Sequence, residues 1–113
     1  MRIAHAIAAV SLVTLPALAV AAGDTGTAPA ERAGEAQFRE RCGGCHLADG
    51  FGTRVLERRV PEGQAELERR AGLTSQYITL AVRRGIGSMP AIREAELPDE
   101  ELAQIAAYLG ANK

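Results

Sequence analysis

With 113 residues the chain is bounded at a single domain, and its formal net charge of −1 leaves no basic excess of the kind that binds nucleic acid. Aromatic side chains are scarce, with no Trp, two Tyr and two Phe, so the usual large core fillers are missing. A small domain with so thin a core is marginal by itself and calls for a staple such as a metal, disulfides or a cofactor.

The first stretch reads as a secretory signal peptide over residues 1–22. Arg2 supplies a one-charge n-region, and residues 3–20 are apolar apart from His5, Ser11, Thr14 and Pro16. Small residues around Ala19, Ala21 and Ala22 offer cleavage just before Gly23. The other reading is an uncleaved anchor, since about 20 apolar residues can span a bilayer. Pro16 and the clustered small residues favour cleavage. Residues 23–32 are expected to be a flexible leader, with the folded domain occupying residues 33–113.

From about residue 31 to 45 the pattern turns helical. Gly34, Phe38, Cys42 and Cys45 fall on one side, and Arg32, Glu35, Arg39 and Glu40 largely on the other. Gly43, Gly44, Gly50 and Gly52 then predict a loop. Val55, Leu56 and Val60 form a short apolar patch before Pro61. A short helix is expected over 62–71, with Glu66 and Arg70 at i,i+4 spacing.

Thr74 or Ser75 suits a helix N-cap, and Tyr77, Ile78, Ala81 and Val82 follow on a helical repeat that ends at Gly85. A tight loop, Gly85-Ile86-Gly87-Ser88-Met89-Pro90, comes next. The last helix is expected from Pro98 or Asp99, with Asp99, Glu100 and Glu101 complementing the dipole of its first turn. Leu102, Ile105, Ala106 and Leu109 make its buried stripe, with Tyr108 beside it. Nothing alternates strictly like a strand. The fold class is therefore all-α, with three or four helices and long loops.

Charge is uneven along the chain. Residues 51–93 carry eight arginines against four glutamates, whereas residues 94–113 carry five acids against Lys113 alone. Such a dipolar surface can orient a docking partner, although each charge taken singly suits a solvated helix face.

The decisive motif is Cys42-Gly43-Gly44-Cys45-His46, a CxxCH run that matches haem c attachment. Two thiols three residues apart on a helical turn can reach the two vinyl groups at one porphyrin edge, which places His46 under the iron. The rival readings fit less well. A structural zinc site needs four N or S ligands, and the chain after the signal offers Cys42, Cys45 and His46. A thioredoxin-like pair needs a strand leading into a helix. A plain disulfide gives His46 no role.

The sixth ligand follows by elimination. Met1 and His5 belong to the segment expected to be removed, so a distal thioether or imidazole must be Met89. A core methionine is the alternative, but such a residue usually sits on a helical stripe. Met89 sits between Gly87-Ser88 and Pro90, whose ring stiffens the backbone.

With these residues in view, the sequence resembles the class I cytochrome c family over about residues 33–110. Gly34, Phe38, Cys42, Cys45 and His46 match its first helix and attachment site, and Ser88-Met89-Pro90 its distal loop. Leu102, Ile105, Ala107, Tyr108 and Leu109 match its last helix. The resemblance implies a cytochrome c fold around one covalent haem c, in which first and last helices cross with a glycine, here Gly34, at the contact and Phe38 and Tyr108 flanking it. One departure stands out. The family often has a proline after the attachment site whose carbonyl accepts the proximal histidine's other N–H, and here Gly52 is followed by Thr53. More narrowly, Gly52-Thr53, Tyr77, Arg84-Gly85 and Ser88-Met89-Pro90 look like cytochromes paired with flavin-dependent alcohol or phenol dehydrogenases.

The functional expectation is a periplasmic one-electron carrier rather than an enzyme, with Cys42, Cys45, His46 and Met89 as its site. It would take electrons from a dehydrogenase and pass them to a terminal oxidase or another cytochrome. A haem enzyme or gas sensor with a displaceable Met89 is the rival, and an apo thiol redox protein a third option. Val55, Leu56, Ile78, Leu80 and Ile86 are the expected haem walls. Arg54, Arg58, Arg59, Arg83 and Arg84 are expected to divide between holding haem propionates and meeting an acidic partner, the guanidinium fork suiting carboxylates.

Overall fold

The computed structural model describes residues 27–111. The expected signal peptide, residues 1–22, lies outside them. The chain folds as α1 (Thr27–Arg41), α2 (Gly43–His46), α3 (Phe51–Leu56), a 3-10 turn at Leu67–Arg69, α4 (Ser75–Arg84) and α5 (Asp99–Gly110). Among the described residues there is no strand, only an isolated antiparallel bridge between Ile86 and Met89. The expected all-α class is what the chain adopts.

Helix α1 begins earlier than its periodicity suggested, so residues 27–32, expected as leader, are helical. Ala28 and Ala30 are strong helix formers, and Pro29 is tolerated because first-turn amides have no intrahelical partner. Gly34 and Phe38 are buried on one face, while Arg32, Arg39 and Glu40 face solvent.

Two further expectations need correction. The glycine-marked loop over 43–52 contains a helical turn, α2, and the start of α3. Local hydrogen bonds override the weak helix propensity of glycine there: His46 N–H donates to the Cys42 carbonyl at 3.0 Å and Leu47 N–H to Gly43 at 3.0 Å. Conversely, the helix expected over 62–71 shrinks to the 3-10 turn. Gly63 and Gly72 hold positive φ of 79° and 76°, which brackets the segment with non-helical backbone. Glu66 accordingly pairs with Arg69 at 3.6 Å rather than with Arg70.

Helix α4 starts at Thr74, whose hydroxyl accepts the Tyr77 N–H at 3.1 Å. It stops at Gly85, which takes φ 73°. A side chain there would strike the backbone of Met89, Pro90 and Ala91. The loop turns back so that Ile86 and Met89 exchange N–H···O bonds of 3.1 and 3.0 Å, and Ile92 N–H reaches the Val82 carbonyl at 2.9 Å. Arg83 braces the same loop. Its guanidinium donates to the carbonyls of Ile92 and Leu97 and pairs with Asp99. That role corrects its expected assignment to propionates or a docking partner.

The core is the meeting of α1, α4 and α5. Phe38, Leu97, Leu102, Ile105 and Leu109 are its largest fully buried side chains, joined by Ile78, Val82, Leu73 and Ala106. Burying each large side chain contributes roughly 1.5–3 kcal/mol. At the α1–α5 contact Gln37 donates to Gln104 at 3.0 Å, and Arg41 pairs with Glu101 at 2.9 Å. The tie fixes the end of α1 from which the cysteine motif departs.

Candidate haem site

A cavity of about 210 Å³ opens between α1–α3 and α4 with its following loop. Cys42 leaves the end of α1, Cys45 and His46 complete α2, and Met89 and Pro90 arrive from the loop after α4. All of them line this one cavity. Residues far apart in sequence are thus brought to one wall-enclosed space. Among the described residues, no three His, Cys, Asp or Glu side chains gather into a metal-holding cluster, which gives the zinc reading no support.

Both thiols are free of a disulfide. Cys45 is exposed at the rim and Cys42 is half-buried. Burial pushes the Cys42 thiol up from its ordinary pKa, the charged Arg41 next to it opposing the shift. Burial also pulls the His46 imidazole below its usual pKa, because desolvation penalises the cation. A neutral imidazole is the form that binds metal. Its Nδ1 is buried with no hydrogen-bond partner.

The walls are mainly apolar. Val55, Leu56, Ile78 and Ile86 line the cavity as expected, but Leu80 does not. Leu80 is 48% exposed on the outer face of α4, since the helical stripe that buries Ile78 and Val82 turns it outward. Phe51, Leu67, Leu73 and Tyr77 also form walls that the sequence reading missed. Phe51 stands in what read as a glycine loop, and Leu67 and Leu73 flank a segment without periodicity. Phe51, Tyr77 and Ile86 are about half exposed at the rim.

Of the arginines expected to serve, Arg59 lines the cavity; Arg54 instead donates to the Asp49 carbonyl, and Arg58 and Arg84 lie on the surface. Arg70, not singled out beforehand, lines the cavity too. Neither Arg59 nor Arg70 forms an ion pair among the described residues, whereas Arg39, Arg41, Arg69 and Arg83 all do. Two guanidiniums without an ion pair on a mainly apolar cavity suit a flat apolar ligand that carries carboxylates. These residues fit a haem. The buried imidazole, the apolar walls and the two cations each match one part of it.

An all-helical domain whose CxxCH pair lines such a cavity is a cytochrome c domain. The chain belongs to the family described as "Cytochrome C oxidase, cbb3-type, subunit III", whose model matches residues 29–109. No curated protein and no solved structure matches it. Family and fold together make it a class I type cytochrome c domain that binds covalent haem c and carries electrons, with the Cys42–Cys45 pair compatible with attachment. No helix among the described residues is long and apolar enough to cross a membrane.

Proposed function

We propose that this chain is a periplasmic one-electron carrier in which Cys42 and Cys45 form the two thioethers and His46 and Met89 are the axial ligands. The observation that carries the reading is the convergence of all four side chains on one apolar cavity. Bound haem supplies a one-electron iron couple. The protein's part would be to hold the iron with His46 and Met89, surround it with apolar side chains and balance charge with Arg59 and Arg70.

Each residue has a separable task. His46, kept neutral by its burial, offers a lone pair without first losing a proton. Met89 is half-buried, packs against the hydrophobic core and is pinned by the paired amide bonds with Ile86. A thioether in that position and a dry apolar shell both raise the reduction potential. Arg59 and Arg70 offer their bidentate forks to the two carboxylates. Were His46 and Met89 both to hold the iron, no position at the metal would be left for a substrate, which supports electron transfer rather than turnover.

For the partners, a dehydrogenase as donor and an oxidase or a second cytochrome as acceptor suit a carrier whose arginine-rich middle and acidic end make it dipolar. Export by removal of residues 1–22 suits the attachment chemistry. The test is production in a host competent to attach haem, followed by intact mass, absorption spectra and stopped-flow reduction by candidate periplasmic dehydrogenases. Mass increased by one haem, a sulfur-to-iron charge-transfer band in the oxidised form and fast reduction are the expected results. Colourless protein of bare-polypeptide mass sinks the proposal.

A further inference from the structure

Thr53 is the buried polar side chain of the described core, 3% exposed. It stands in α3, which has no chemistry of its own, yet its hydroxyl points back to the motif. Thr53 Oγ1 lies 2.8 Å from the Leu47 carbonyl and 3.4 Å from the Cys45 carbonyl. The Cys45 carbonyl belongs to the peptide that enters His46, and the Leu47 carbonyl to the peptide that leaves the next residue. The hydroxyl has one proton, so the shorter contact is the bond and the longer one a weak second pull. The Leu47 carbonyl also accepts the Gly50 N–H at 3.1 Å, so both of its lone pairs are engaged. Carbonyls at a helix C-terminus have no intrahelical partner, and here a buried side chain supplies one.

The imidazole itself has no such tether, since its Nδ1 finds no acceptor. What faces the ring is Gly52. A Cβ on that residue would lie 3.0 Å from His46 Cε1 and 3.2 Å from Nδ1, closer than ordinary packing allows. Ring orientation is therefore set by the backbone on either side of His46 and by the bare surface of Gly52, with no bond to the ring nitrogen.

We propose that Thr53 is the positioning residue for His46, bonding the Leu47–Ala48 peptide and drawing on the Cys45–His46 peptide in place of a hydrogen bond to the imidazole. The inference rests on His46 being an axial ligand. Hydrogen bonds that hold the surroundings of a ligand orient it and tune its metal. Losing the clamp would free the backbone that sets the angle of the His46 ring, an effect that loss of a hydroxyl serving stability alone would not have.

The test uses the haem-loaded protein and the variants Thr53→Val, Thr53→Ser and Ser75→Ala. Ser75 is a control of the same chemistry away from the cavity, its hydroxyl bonding the Ala106 carbonyl at 3.2 Å. The readouts are reduction potential and the paramagnetically shifted NMR lines of the His46 ring. Thr53→Val is expected to displace both, Thr53→Ser to restore both, and Ser75→Ala to lose stability with neither changed. Unchanged potential and ring lines in Thr53→Val overturn the proposal. Should Thr53→Val not fold, Gly52→Ala crowds the same ring and must move the same lines; if it leaves them in place the idea also falls. Wild-type spectra without histidine ligation would instead remove the underlying assignment, a distinguishable failure.

Discussion

Gly34 in α1 lies directly against Tyr108 in α5, so that a methyl group at Gly34 would sit 2.8 Å from the Tyr108 Cβ and would also strike the Gln104 backbone. One turn further along α1, the fully buried Phe38 ring stands 6.2 Å from the Tyr108 ring at 47°. Phe38 in turn forms a wall of the cavity. The closeness of two helices at one glycine thus sets where the cysteine motif, at the end of α1, begins.

Replacing Gly34 with Ala should force the helices apart. Backbone carbonyl is among the atoms in the way, so relief by a side-chain rotation is not available. Overpacking of this kind costs typically ~1–3 kcal/mol. Guanidinium unfolding of the haem-loaded protein should show a lower midpoint with an unchanged slope. A midpoint equal to wild type would refute the close approach.

Met89→Ala should leave the haem attached through the thioethers while removing the sulfur ligand. The sulfur-to-iron band should vanish, and the potential should fall by part of the roughly 0.8 V span that axial ligands command. Retention of the band would show that Met89 is a wall residue alone.

Tyr108 adds a pH dependence. Its hydroxyl donates to Glu68 at 2.9 Å, and burial, that bond and the nearby carboxylate charge all push its pKa up. A group raised in the folded state contributes stability that is fully present below its unfolded pKa, about 10, and is lost as pH rises through the folded value. Stability should therefore decline on the alkaline side. In Tyr108→Phe that alkaline decline should be absent, with a cost of about 1–3 kcal/mol at neutral pH for the lost bond to a carboxylate. Parallel alkaline curves for the two proteins would contradict the assignment.

Arg59→Gln and Arg70→Gln test the cationic edge. Removing a cation near the iron favours the more positive, oxidised state, so each variant should have a lower potential. It should also become more pH-dependent as the freed carboxylate titrates. Arg58→Gln, on the surface away from the cavity, should change little. Equal shifts at all three positions would mean a diffuse field rather than two local contacts.

Legibility in the sequence followed the range of the interactions. Cys42, Cys45 and His46 are contiguous, and one helical turn sets their spacing, so the attachment chemistry could be read before any folding. The stripe Leu102, Ile105, Ala106 and Leu109 obeys a helical period, and all four residues are buried. Leu80, expected as a haem wall, went against that rule: the α4 repeat leaves it off the buried stripe, and it is exposed. Segments without a period hid more. Leu67 and Leu73 reach the cavity from a stretch whose backbone is broken by Gly63 and Gly72.

By itself, the sequence determined an all-α domain and a haem c motif, and it offered Met89 as a candidate ligand, because each depends on local spacing or on residue supply. Only the tertiary structure decided that Arg70 rather than Arg83 faces the cavity, that Phe51 and Leu73 are walls, and that Thr53 holds the peptides around His46. Those facts depend on which surfaces meet across long stretches of chain. A guanidinium or a hydroxyl acquires its role from the atoms that folding brings to it, and a list of residues does not contain that meeting.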